Sequence, residues 1–312
     1  MSEFIILADA SCDLSEAFQK EYDIRIIHGH LVYPGKVEKM SFLSWTEEEK
    51  TAFYQELKRC PDEFATSPSS AGEYRDAFLA AADGGCTDIL SVHLSSGISG
   101  AYDFALQGKA LALEERPDLR IRCIDSMRFG PGFGLLVVHA AEHRKNGASM
   151  EETAAYIEEN KNRYHQAGWL DDLSFVAKKG RITHSKAFFG TLAGVKPLGE
   201  FDYNGLTTVI GRTTGAKNAY AALLSYMEET GENLSGQVIF IAQTNRRPQA
   251  EEFKRLIEGK FHPKAVYVND VFPTCAINIG PGLMAAYYVG KPISSDLSEE
   301  KAIMEKAVRN VK

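Results

Sequence analysis

Four strand-like apolar runs, at Phe4–Ala8, Ile24–Tyr33, Asp88–Leu94 and Arg120–Ile124, alternate with helical runs at Thr46–Cys60, Ala71–Ala82, Ala101–Glu115 and Phe133–Asn146. Parallel strands need a long crossover, which a helix supplies, so this alternation predicts a mostly parallel sheet covered on both faces. Ligands of such sheets sit outside the carboxyl ends of the strands. A site is therefore expected in the loops Asp9-Ala10-Ser11-Cys12-Asp13-Leu14, Ala65-Thr66-Ser67-Pro68-Ser69-Ser70, Ser95 to Gly100 and Asp125-Ser126.

The most informative of these corners is His93-Leu94-Ser95-Ser96-Gly97-Ile98-Ser99-Gly100-Ala101-Tyr102, which opens a helix. Backbone N–H groups are left unpaired at a helix start, and the helix dipole adds roughly half a positive charge there. A corner built from Ser and Gly is thus suited to an anionic group. Ser95, Ser96 and Ser99 supply three hydroxyls, and the sequence does not decide which of them faces a ligand.

A second unit is expected from about Glu151, opening with a polar helix to His165 that acts as a connector. Extended runs at Val195–Phe201 and Leu206–Gly211 flank Asp202-Tyr203-Asn204-Gly205, whose Asn-Gly pair is a strong hairpin signal. A helix at Thr213–Thr230, a strand at Gln237–Gln243, a helix at Pro248–Gly259 and a strand at Ala265–Val268 complete an α+β half. The Pro/Gly-interrupted segment 273–282 is expected to end at another helix start and to return the chain to the domain junction.

With 312 residues, 44% apolar and 25% charged, the chain has room for two modest globular domains. A net charge of −7 argues against a nucleic-acid partner, because the densest basic spot, Lys178-Lys179-Gly180-Arg181, is small. The N-terminus lacks the pattern of a secretory signal, and no run approaches the roughly 20 apolar residues of a membrane span. A cytoplasmic location is expected. The five scattered cysteines contain no C-x-x-C pair and read as free thiols, without a metal site.

Several shorter patterns have plainer readings. His139-Ala140-Ala141-Glu142-His143 has H-x-x-E-H spacing, but its polar residues form one stripe of a helix and read as a solvated face. His28-Gly29-His30 puts two imidazoles on one side of a strand and would need a third ligand to hold a metal. There is no Walker A sequence, Gly130-Pro131-Gly132-Phe133-Gly134 lacks the dinucleotide spacing, and Gly97-Ile98-Ser99-Gly100-Ala101 fails the last position of a nucleophile elbow. Thr66-Ser67-Pro68 by itself reads as an ordinary helix-capping pattern.

Taken in order, Asp9–Leu14, Thr66–Ser70, Ser95–Tyr102, Asp125-Ser126, Gly130–Gly134, Lys179–Ile182, Val195–Leu198 and Ile279–Gly282 resemble the DegV family, over about Asp9 to Tyr287. The resemblance implies a two-domain α/β fold. Residues 1–150 would form an N-terminal, mostly parallel α/β sandwich with the head-group loops. Residues 151–290 would form an α+β domain with a mixed sheet, and 291–312 a C-terminal tail or helix. It further implies a long-chain fatty acid in an interdomain tunnel, presented to a separate fatty acid kinase, with no cofactor and no catalytic residue of the chain's own. For the carboxylate the family's pattern points to Thr66, Ser67, Ser95, Ser96 and Ser99, with Arg181, Asn278 and Gly280.

That role makes chemical sense. Burying a tail of about 16 carbons at roughly 0.8 kcal/mol per methylene gives a gross term near 12 kcal/mol, so the tail sets affinity and the head sets register. Hydroxyl donors hold a carboxylate while leaving one oxygen reachable, whereas a bidentate Arg occupies both. Two positions depart from the family's pattern: Asn278 stands where a His is common, and Ala101 replaces a Thr. An Asn amide donates a hydrogen bond but cannot become cationic. The competing reading is an acyl or phosphoryl transferase or hydrolase using the same corner as an oxyanion site, which would require a base within about 3 Å of a hydroxyl. A third reading keeps the fold without a ligand, as a protein-interaction module.

Overall fold

The computed structural model describes residues 4–39, 46–182 and 194–311. The chain divides into two compact units, one of Met1–Leu43, Asp62–Lys161 and Phe272–Thr274, the other of Ser44–Pro61, Asn162–Val271 and Cys275–Lys312. This division differs from a cut at residue 150. It places the helix α2 (Glu47–Arg59) in the second unit, where Lys50 of that helix is ion-paired to Asp270.

In the first unit, β1 (Ile5–Asp9), β2 (Ile24–Ile27), β6 (Asp88–His93) and β7 (Arg120–Asp125) form a sheet of order β2-β1-β6-β7, parallel throughout. All five residues of β1 are buried, as expected for an inner strand covered on both faces. Around this sheet run α1 (Glu16–Glu21), α3 (Ala71–Ala82), α4 (Ala101–Glu115), α5 (Gly130–Lys145) and α6 (Met150–Asn160). A second, three-stranded antiparallel sheet has β3 (His30–Tyr33) between β4 (Lys36–Lys39) and β5 (Ala65–Ser67).

Among the described residues, three helices start with reciprocal capping boxes: Thr46 with Glu49, Ser70 with Glu73 and Ser149 with Glu152. In each, a hydroxyl and a carboxylate satisfy main-chain N–H groups that the first helical turn leaves open. Ala101, Ala105, Gly108 and Ala112 line the buried face of α4. A Cβ at Gly108 would lie 2.5 Å from Tyr74 Cβ and 2.8 Å from the Ala71 carbonyl oxygen, so only glycine permits α3 and α4 to approach this closely. The helix α5 is buried continuously from Gly130 to Val138, which explains why its apolar residues surround the whole axis.

The second unit is built on a six-stranded mixed sheet of order β10-β9-β8-β13-β11-β12, comprising β8 (Tyr164–Leu170), β9 (Val195–Phe201), β10 (Thr207–Thr214), β11 (Val238–Gln243), β12 (Ala265–Asp270) and β13 (Leu283–Val289). Among the described strand pairs of this sheet, β11–β12 is parallel and the others are antiparallel. The described helices α2, α7 (Leu173–Lys178), α8 (Ala216–Thr230), α9 (Arg247–Phe261) and α11 (Ser298–Arg309) belong to this unit, as does most of α10 (Pro273–Ile279). Its core contains a fully buried carboxylate. Glu200 accepts hydrogen bonds from Gln166 N–H (2.6 Å), Phe201 N–H (2.8 Å) and Tyr226 O–H (2.9 Å), and lies 2.7 Å from His165 Nδ1. The other nitrogen of that ring, Nε2, faces the Lys291 carbonyl at 2.8 Å.

Several expectations change. The run Ile24–Tyr33 is two strands in two different sheets, broken at His28-Gly29. The polar helix ends at Asn160, and His165 lies on β8, an inner strand rather than a connector. Thr213 and Thr214 extend β10 instead of opening α8. Gly282 leads into the strand β13, not a helix: the apolar run Leu283–Val289 is buried between two neighbours, and such a run has no helical signature of its own. The hairpin at Asp202–Gly205 forms as expected, with Asp202 Oδ1 accepting from Asn204 N–H and Leu206 N–H.

Candidate functional site

Three acceptor-bearing side chains end neighbouring strands of the parallel sheet: Asp9 on the inner strand β1, His93 on the inner strand β6 and Asp125 on the edge strand β7. Beyond the strands, the two loops that follow β6 and β7 remain bonded to each other. Ser126 N–H donates to the His93 carbonyl (3.0 Å), Ser95 N–H donates to the Arg128 carbonyl (2.9 Å), and Ser96 N–H donates to Asp125 Oδ1 (3.2 Å). Asp125 Oδ1 also accepts Met127 N–H at 2.9 Å, closing a turn in which Met127 is left-handed (φ 53°). The Asp-Ser pair after β7 thus supplies the rail along which the serine corner runs.

This corner is not the open nest of amides that its sequence suggests. Ile98 and Ser99 N–H both donate to the Ser95 carbonyl (3.2 Å each), Gly97 N–H donates to Ser95 Oγ (3.1 Å) and Ala101 N–H donates to Ser99 Oγ (3.2 Å). With Ser96 N–H on Asp125, the main-chain donors of Ser96, Gly97, Ile98, Ser99 and Ala101 are all engaged within the corner. The three serines separate accordingly. Ser95 is fully buried with its hydroxyl serving Gly97, and the half-buried Ser99 hydroxyl serves the start of α4. Ser96, by contrast, is exposed.

Beneath the corner, Asp9 ties three elements together. Its Oδ1 accepts Tyr74 O–H at 2.6 Å and lies 3.3 Å from His93 Nδ1, and its Oδ2 accepts Leu94 N–H at 3.0 Å. His93 is wholly buried, which disfavours a charged ring, but the Asp9 carboxylate outweighs that and pushes the imidazole up to about 9. Burial and the same carboxylate push the Tyr74 phenol up as well. Asp9 and His93 lie within sequence motifs that assign them no role; their position at adjacent strand ends is the signal that marks them.

Thr66 and Ser67 lie on β5, opposite Leu31 and His30 of β3. The capping pattern read at Thr66-Ser67-Pro68 is in fact supplied by Ser70, whose hydroxyl accepts Glu73 N–H. His28 and His30 both contact this segment: the His28 carbonyl accepts Ser69 Oγ–H (3.0 Å), and His30 Nε2 lies 2.9 Å from Glu73. Partial burial would raise the Glu73 carboxyl, yet the Ser70 donors and His30 overcome it and hold it at about 2.

The remaining predicted site residues belong to the second unit. Arg181 follows the left-handed Gly180 that ends α7, and its guanidinium donates to the Lys179 carbonyl. Asn278 is half-buried on α10. Gly280 has a packing reason of its own: φ is +78°, and a Cβ there would lie 2.7 Å from the Phe175 ring. In the H-x-x-E-H stretch, the His143 ring stacks on Tyr156 with centroids 3.9 Å apart while Glu142 points to solvent. Among the described residues no group of three or more His, Cys, Asp or Glu side chains is placed to hold a metal ion, and no helix is long and apolar enough to cross a membrane.

Comparison with known proteins agrees with this architecture. A DegV domain-containing protein of Clostridium perfringens is 28% identical over 294 residues, covering 93% of this chain and 98% of its own. A Thermus thermophilus DegV family protein, whose structure is described by its fatty acid binding, superposes with a TM-score of 0.81 at 22% identity, over 92% of this chain and 99% of that one. The Streptococcus pneumoniae Fatty Acid Kinase (Fak) B3 protein, loaded with linoleic acid, gives 0.77 at 18% identity over 93% and 100%. The model of the DegV family, described as an uncharacterised protein family, matches residues 3–291. A parallel four-stranded sheet with a serine corner at its carboxyl edge, a six-stranded mixed sheet and a match along nearly the whole chain lead to one conclusion: the chain belongs to the DegV family.

Proposed function

We propose that this chain binds a long-chain fatty acid, holds its carboxyl group with hydroxyl donors of the first unit, and presents it to a fatty acid kinase in the cytoplasm. The observation that carries the reading is Ser96, an exposed hydroxyl on a main chain fixed by Asp125 at the carboxyl edge of a parallel sheet. Thr66, on the short strand β5, is the second hydroxyl. Ser67, Ser95 and Ser99 then serve to shape these two segments. The fatty acids held by the Thermus and Streptococcus proteins support the ligand, and the kinase in the latter's name supports the partner.

The carrier reading is favoured over a hydrolase or transferase. A serine nucleophile needs a base on its hydroxyl. The carboxylate at Ser96, Asp125, takes the main-chain N–H instead, and His93 is buried with Nδ1 on Asp9. The test is denaturing extraction of the purified protein followed by mass spectrometry. A fatty acid near one equivalent is expected, with its phosphorylated form appearing when a fatty acid kinase and ATP are added. Protein that emerges empty and fails to take up added oleate overturns the proposal.

A further inference from the structure

Of the three bonds that join the loops after β6 and β7, two are between main-chain groups and survive any change of side chain. The third, Ser96 N–H to Asp125 Oδ1, depends on one carboxylate. We infer that Asp125 is a positioning residue for head-group binding, fixing the direction of the Ser96 hydroxyl by holding its amide in the turn that also captures Met127 N–H. The inference rests on the assignment of Ser96 as the head-group donor.

Nothing else in the loop substitutes for this contact. Ser95 is buried and bonded inward, and Ser99 is committed to the first turn of α4. After Ser96 the loop is held through the Ser95 carbonyl and hydroxyl and through Ser99 Oγ on Ala101 N–H, so loss of the Asp125 acceptor releases the one exposed serine while leaving its neighbours anchored. Asp9 is a different case. It bonds Tyr74 and His93 as well as Leu94, so its removal disturbs the core beneath the corner, whereas Asp125 is half-buried at the rim. A charge is not what the geometry requires. One oxygen accepting two N–H groups suffices, and an Asn side chain offers the same oxygen in the same place.

The experiment is a titration of the delipidated full chain with oleate, for wild type, Ser96→Ala, Asp125→Ala, Asp125→Asn and the Ser96→Ala/Asp125→Ala double variant. Ser96→Ala and Asp125→Ala are each expected to weaken binding by about tenfold, Asp125→Asn by no more than about twofold, and the double variant no further than Ser96→Ala alone. Should Asp125→Ala fail to fold, Asp125→Glu keeps the charge, moves the acceptor by one methylene and is expected to weaken binding likewise. Wild-type affinity in the folded Asp125 variants, or a full additional loss in the double variant, overturns the positioning role, because an effect independent of Ser96 is not exerted through it. Wild-type affinity in Ser96→Ala instead overturns the head-group assignment, and the inference with it.

Discussion

Replacing Glu200 by Ala removes a buried acceptor from four donors at once: Gln166 N–H, Phe201 N–H, Tyr226 O–H and the His165 ring. Each buried donor left without a partner costs roughly 1–3 kcal/mol, and water entering the vacated volume recovers part of that. Stripping one partner from a buried hydrogen-bonded pair costs about 3–5 kcal/mol, so a loss near 4 kcal/mol is expected for the second unit. Glu200→Gln is the informative control. Its amide keeps one oxygen for the two main-chain donors, and its NH2 can donate to His165 Nδ1 while His165 Nε2–H serves the Lys291 carbonyl. That variant is expected to lose no more than about 1.5 kcal/mol. Urea denaturation followed by fluorescence reads this directly, since Trp169 is buried on β8 and a Trp45→Phe background leaves it as the sole indole. With a slope of about 2 kcal/mol per molar, the Ala midpoint falls by about 2 M and the Gln midpoint by less than about 1 M. An Ala variant within about 1 kcal/mol of wild type, or a Gln variant as unstable as Ala, refutes the reasoning that unmet donors dominate.

Other outcomes follow from the same kind of accounting. Because the folded-state imidazole of His93 is raised from its ordinary 6.5 to about 9, its contribution is full below about pH 6.5 and is lost as pH rises through about 9. The melting temperature of the wild type is therefore expected to fall over that window and that of His93→Gln to be flat across it; parallel profiles would refute the assignment. Glu73 has the opposite sign: held at about 2, it stabilises above its ordinary 4.5, and the benefit disappears as pH falls toward 2. Glu73→Gln should flatten that acid limb in a circular-dichroism melt series. Gly108→Ala forces α3 and α4 apart and is expected to cost about 1–3 kcal/mol despite the better helix propensity of Ala, a stabilised variant being the contrary result.

Where the fold was legible in advance, the cause was local. The Asp202–Gly205 hairpin closes within four residues, and the helical runs expected at Ala71–Ala82 and Ala101–Glu115 match α3 and α4. Where it was not, the cause was distant in sequence. Ala65–Ser67 is a strand only because β3 lies beside it, Leu283–Val289 is a strand because β8 and β11 flank it, and α2 joins the second unit.

The candidate site divides the same way. The sequence by itself determined that a serine-rich corner follows an apolar strand and that this corner, with Thr66 and the ordered motifs, resembles the DegV family. Only the tertiary structure decided that Asp125, brought alongside by the β6–β7 pairing, takes the Ser96 amide, that Ser95 turns inward, and that Ser96 alone of the three offers an exposed hydroxyl. A hydroxyl's identity is written in the chain, but its direction and competing partners are set by strands nearly thirty residues apart, and no local pattern encodes which neighbour arrives.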